Sequence, residues 1–341
     1  MRTLRAAMSL LLFAATLPAL AQPHWAVSKT MHIGGEGGWD YVTVDSANQR
    51  LFVTRSTHTQ VVDTETGKLL ADIPGQVRSH GVALVPAVNR GFITDGGGSG
   101  AILVFDLKTY DVLGKIPTMP DSDGIIYDRG TNLVLAVSGD GNTLMTFSPD
   151  IDPKSGKVNK IDLGGAPEFL AADGNGKVFI NLADKDLLAV VDLHTNKVIA
   201  RWPTAPGGHP TGLALDKKTH RLFIGCRKPA KMIVMSSDDG KVLADLPIGD
   251  GVDATKRDGG QAFASCRDGS LTVVGEKDGK YVVDEVVKTA LGARTMGVDG
   301  HRHIVYLATA EYANPTDPAT RRPQMKPDSF MIVAVARSGG E

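Results

Sequence analysis

Four shortages narrow the possibilities before any motif is read. Two cysteines in 341 residues exclude a cysteine-rich zinc or iron–sulfur protein, and a chain this long needs no disulfide framework to build a core. Neither sign of charge dominates: 37 basic against 38 acidic residues leave a formal net charge of -1, which argues against a strongly basic nucleic-acid binder. Aromatics are scarce, at 6%, while the hydrophobic share of 42% is ordinary for a folded domain and excludes a disordered chain. Past the N-terminus, no apolar run reaches the ~18 residues of a membrane helix. Motifs are short as well, with no Gly-x-Ser-x-Gly and no His-Glu-x-x-His anywhere.

The one long apolar run is N-terminal. Arg2 and Arg5 precede Met8 to Leu17, and Ala19-Leu20-Ala21 fits the small-x-small cleavage rule. This predicts a signal peptide over residues 1–21, cleavage after Ala21, and a mature domain of residues 22–341 in the periplasm or outside the cell.

Repetition comes next. Apolar runs ending in Asp recur, as YVTVD at 41–45, GIIYD at 124–128, FLAAD at 169–173 and GLALD at 212–216. A second run follows each, such as RLFVT at 50–54 and RLFIG at 221–225, then a third run and a turn such as DTETGK at 63–68 or DLHTNK at 192–197. Aligned on the residue five before the first-run Asp, the repeats start at Asp40, His80, Asp123, Glu168, Thr211, Asp253 and Arg294, at spacings of 40, 43, 45, 43, 42 and 41 residues. Four short β-branched runs per unit, bounded by Gly, Asn and Asp turns, predict an all-β, seven-bladed β-propeller forming a single domain. The seventh unit shows runs only at 295–299, 303–309 and 330–337, and the run from Trp25 to Ile33 belongs to no unit. That N-terminal run is expected to pair into the last blade and close the ring.

Arg50-Leu51-Phe52-Val53-Thr54 with Asp63 to Lys68, and Arg221 to Gly225 with Asp192 to Lys197, resemble the YVTN-type β-propeller repeat. The resemblance extends over the mature chain and is to exported YncE-like proteins, more distantly to lactonase-like propellers. It implies a fold and no single activity, because binding modules, scaffolds and enzymes share such folds. Relatives of this kind include nucleic-acid binders; here only Arg321, Arg322 and Lys326 form a basic cluster, so nucleic acid is not the expected partner. Blade six departs most, with ATKRD at 254–258 in place of an apolar first strand.

In a propeller the innermost strands line a central channel, so the seven aligned positions become a ring at one mouth. Asp40, Asp123, Glu168 and Asp253 are candidate ligands of a divalent cation, Ca²⁺, Mg²⁺ or Mn²⁺, because like charges on one circle repel unless a cation or shared protons compensate. His80 and His209 are candidate acid/base groups, and Arg294 a candidate clamp on an anionic substrate group. Loops between second and third strands add Arg55, Arg227, Arg267 and Tyr312, which with Thr211 form the expected ligand-binding set. The segment 311–328, with its prolines, is a candidate lid. Two functions follow: a monomeric, non-catalytic propeller that binds a small molecule, metal ion or peptide at the mouth, and a metal-assisted hydrolase or lyase acting at the same place. A purely solvated polar rim is the alternative to both, less favoured because four acids facing one channel repel unless a cation or shared protons compensate. Cys226 and Cys266 occupy matching positions in neighbouring blades and are expected as free thiols, since packed sheets lie ~10 Å apart.

Overall fold

The computed structural model describes residues 24–313 and 324–338. The expected signal peptide, residues 1–21, and Arg321 and Arg322 lie outside the described residues, as does the middle of the 311–328 segment.

The strands form seven four-stranded antiparallel sheets, the blades of a propeller. Blade one comprises Val42–Asp45, Arg50–Thr54, Thr59–Asp63 and Leu69–Ile73, paired in sequence order from the axis outward. Blades two to six repeat this order, with inner strands Ser79–Val85, Ser122–Asp128, Pro167–Ala172, Pro210–Asp216 and Val252–Asp258. The repeat's Asp residues explain the turns. Asp45 accepts from the Asn48 amide at 3.3 Å and binds Arg50 at 2.6 Å, so the YVTVD aspartate closes the first hairpin. Asp63 accepts from the Thr66 amide at 2.6 Å and closes the third.

Blade seven is built from both chain ends. Its order from outside to axis is Trp25–His32, Met331–Arg337, Ile304–Thr309 and Thr295–Asp299. The N-terminal strand runs antiparallel to Met331–Arg337, from Trp25 opposite Arg337 to His32 opposite Met331. Trp25 is buried and meets Phe263 of blade six edge to face at 4.9 Å. The expected closure is therefore observed.

Among the described residues seven apolar clusters lie between blades, such as Phe52, Val61, Ile93, Leu103 and Phe105 between the first two. Inner strands approach one another so closely that side chains are excluded at some positions. A Cβ on Gly212 of blade five would lie 2.5 Å from the Thr255 backbone nitrogen of blade six. The unusual first strand of blade six nevertheless pairs normally, from Val252 opposite Cys266 to Asp258 opposite Gln261. Cys226 and Cys266 are buried free thiols, pushed up to about 12 by burial. Among the described residues no helix is long and apolar enough to cross a membrane.

Candidate functional site

Four of the seven ring residues are set in place by a latch between blades. Each latch is a polar side chain near the end of one blade's second strand, donating to a ring residue's carbonyl in the next blade. Thr54 donates to His80 at 2.6 Å, Thr94 to Asp123 at 2.5 Å and the Asn181 amide to Thr211 at 3.0 Å. Ser265 makes the same contact with Arg294. All four side chains are completely buried, so the latches are shielded from water. The threonine of the RLFVT run is thus a positioning residue; sequence reasoning used that run for fold and missed this role.

Three ring residues converge. His80, nine-tenths buried, places Nδ1 2.6 Å from Asp40 Oδ2 and 3.5 Å from Asp123 Oδ1. Burial alone would lower the imidazole's pKa, but the Asp40 hydrogen bond and the Asp123 and Asp40 charges raise it to about 9. Burial pushes the Asp123 carboxyl well above its usual range; His80 opposes this, while Asp40, Glu168 and Asp121 add to it. Among the described residues, Asp40, His80 and Asp123 form the one group whose potential ligand atoms all lie within 4.8 Å of one another. Asp123 Oδ1 is buried with no hydrogen-bond partner.

The rest of the ring is arranged differently from the sequence expectation. Asp253 is held between two guanidinium groups, Arg294 Nε at 2.5 Å and Arg227 in a closer ion pair. Its oxygens are committed to arginine, so it does not join the cation-ligand group. Glu168 also stays outside that group; burial raises it to about 7, against the pull of Arg227 and with the push of Asp253 and Asp40. Arg294 is likewise engaged with Asp253, with its guanidinium 6.0 Å from the Trp39 ring.

Three other assignments change. Arg55 was expected at the mouth but is completely buried. Its guanidinium donates to the carbonyls of Gly34, Gly35, Glu36, Gly37 and Gly38 and to Gln60, over the face of Phe330 at 3.8 Å. The glycine-rich run 34–38 is therefore a cradle for an arginine and leaves it no donor for a ligand. Gly37 has φ of +84°, and a Cβ there would strike the Arg55 carbonyl at 2.7 Å, so the cradle demands glycine. Thr211 is buried, with its hydroxyl donated to the His209 carbonyl at 3.2 Å, and is structural. His80 is held as an imidazolium near neutral pH and is not a free base there.

His209 remains half-buried, lowered by burial and by Arg227 and Lys228, so its ring is neutral at pH 7. Arg267 is exposed, and Tyr312 is half-buried 6.4 Å from Trp39; both belong to the same rim. Of the candidate lid, Tyr312–Ala313 pairs with Gln324–Met325, and Lys326 binds Glu311 at 3.0 Å.

Below the ring, Tyr41 of blade one stacks on Phe169 of blade four, with centroids 5.5 Å apart. Blades three positions apart face each other across a seven-membered ring, so this pair spans the axis. The Tyr41 hydroxyl is raised well above its usual pKa, first by burial and then by Asp123, Asp40, Glu168 and Asp253. All four ring carboxylates act on it, as expected for a group lying centrally under the ring.

No protein-family model matches the chain. Over 120 residues it is 34% identical to the uncharacterized protein YncE of Salmonella typhimurium, and equally to that of Salmonella typhi. The matched segment is 34% of this chain and 30% of the length of YncE. A chain of the hydrazine synthase of Kuenenia stuttgartiensis aligns with a TM-score of 0.70 at 13% identity, covering 91% of this chain and 99% of that one. At that identity the likeness shows the fold alone.

Proposed function

We propose that the protein is an exported binding propeller that holds a divalent cation at the channel mouth on Asp40, His80 and Asp123, without catalysis, the cation displacing the His80 imidazolium proton. The observation that carries this reading is the convergence of Asp40, His80 and Asp123, with the buried Asp123 Oδ1 making no hydrogen bond and facing the His80 ring only at 3.5 Å. An unsatisfied carboxylate oxygen costs free energy that a cation would recover. Two carboxylates and one imidazole suit Mn²⁺ better than Ca²⁺ or Mg²⁺, which favour all-oxygen sets. Arg267 and Tyr312 border the same mouth and would receive the acidic part of a small molecule or peptide, beside the Arg227–Asp253–Arg294 ion pairs.

Elemental analysis and thermal melting test the proposal. At a hundredfold excess over its dissociation constant, Mn²⁺ should stabilise the fold by about 2.7 kcal/mol, and a chelator should reverse this. Asp123→Asn should remove the response. Absence of bound metal together with an unchanged melting temperature under chelation would overturn it.

The hydrolase or lyase reading has one observation in its favour: Glu168 at about 7, where a carboxyl can both give and take a proton. It requires turnover of a lactone or ester by the Mn²⁺-loaded protein that Glu168→Gln abolishes. Inactivity on both substrate types leaves the binding reading standing.

A further inference from the structure

Beneath the Tyr41–Phe169 pair lies a lumen of about 670 Å³, within the ~300–1,000 Å³ range of small-molecule sites. It opens on the face opposite the ring, between the first-to-second-strand turns that carry Arg129 and His301, and no ring residue lines it. Part of its wall is aliphatic, including Val44, Leu84, Ile126 and Val298, and its charged residues are Asp45, Arg129, Lys256 and Arg257. Lys256 comes from the ATKRD strand that sets blade six apart. The six residues that align with it in the other blades are Thr43, Ala83, Ile126, Ala171, Ala214 and Gly297, none of them charged.

Lys256 is half-buried, with its ammonium 4.3 Å from the centre of the Phe169 ring. Among the described residues it has no hydrogen-bond or ion-pair partner. Asp45, the carboxylate that lines the same lumen, is already taken by Arg50 at 2.6 Å, and the neighbouring Arg257 is paired with Asp216 at 2.9 Å. Burial lowers the Lys256 amine to about 8, and no neighbouring carboxylate offsets it. A half-buried cation with no ion-pair partner of its own is costly, and a cation–π contact offsets only part of that cost.

We propose that the lumen is a second binding site, separate from the mouth, for a small organic acid with an apolar body. The acid's carboxylate pairs with the Lys256 ammonium, and its hydrocarbon lies along the aliphatic wall toward the open face. The site rests on neither the cation nor the activity proposed for the mouth.

Octanoate is the probe, with octanol and octylamine as neutral and cationic matches, measured by titration calorimetry on the full protein. Octanoate should bind tighter than either match by roughly tenfold or more, the worth of one charge-assisted hydrogen bond. Lys256→Met should erase that preference, and Lys256→Arg should retain it. In the parent protein, saturating octanoate should protect Lys256 from acetylation by acetic anhydride, a readout that survives even if the variants fail to fold. Equal binding of octanoate and octanol, or unprotected Lys256 at saturation, overturns the proposal. So does loss of octanoate binding in Asp123→Asn, because the ligand would then sit at the mouth.

Discussion

His80 carries most of the charge logic of the mouth. Its folded pKa of about 9 lies above the unfolded value of ~6.5. The stabilisation is therefore complete below about pH 6.5 and is lost as pH rises through about 9, a change of roughly 3 kcal/mol. Glu168 is also raised, from 4.5 to about 7, so its contribution fades over that lower interval and slopes the same way. Urea unfolding in chelator should show stability falling from pH 6.5 to 9, and His80→Gln should flatten that limb; an unchanged slope would remove His80 as its source. Arg55 makes the second residue-scale case. Arg55→Met strands five backbone carbonyls in a buried cradle, and should cost about 3 kcal/mol or more in equilibrium unfolding. A loss below ~0.5 kcal/mol would mean the cradle is solvated.

At the scale of elements, the repeated unit uses its second strand to set the next blade's inner strand. Thr94 is completely buried and donates to the Asp123 carbonyl at 2.5 Å. Thr94→Val keeps the shape and removes the donor, so unfolding free energy should drop by about 1–3 kcal/mol. If Asp123 holds a cation, the same change should weaken Mn²⁺ binding, although Thr94 is not a ligand. Retained stability together with retained Mn²⁺ affinity would show that the latch positions nothing. The sequence displayed these latches as Thr54, Thr94, Asn181 and Ser265, all within the second runs. Their function stayed hidden because a side chain's partner in the next blade lies outside any local pattern.

At the scale of the whole molecule, closure joins residues more than 300 apart in sequence, as in the Trp25–Arg337 pairing. The ring holds its ends by strand pairing, by Trp25 packed on Phe263, and by the Arg55 cradle over Phe330. Deleting residues 25–33 removes the outer strand of blade seven and the chain leading into the cradle. Such a protein should melt well below the parent, and amide exchange should rise first along residues 331–337, whose outer edge loses its partner. Equal protection along that strand in both proteins would refute the closure as a source of stability.

Composition and periodicity by themselves determined the all-β class, the seven units and the use of both chain ends in one blade. These are consequences of local rules: alternating apolar runs, Asp and Gly turns, and a spacing repeated seven times. The same alignment also brought Asp40, His80, Asp123, Glu168, Asp253 and Arg294 to one mouth. Only the tertiary structure decided how those charges pair. It gave Asp253 to Arg227 and Arg294, joined Asp40 and Asp123 through His80, and withdrew Arg55 into the glycine-rich run 34–38. It also turned the irregular ATKRD strand into a lone ammonium facing the lumen. Fold follows from short-range pattern, whereas ionic partners are chosen by distances of a few ångströms between blades far apart in sequence, which no spacing along the chain encodes.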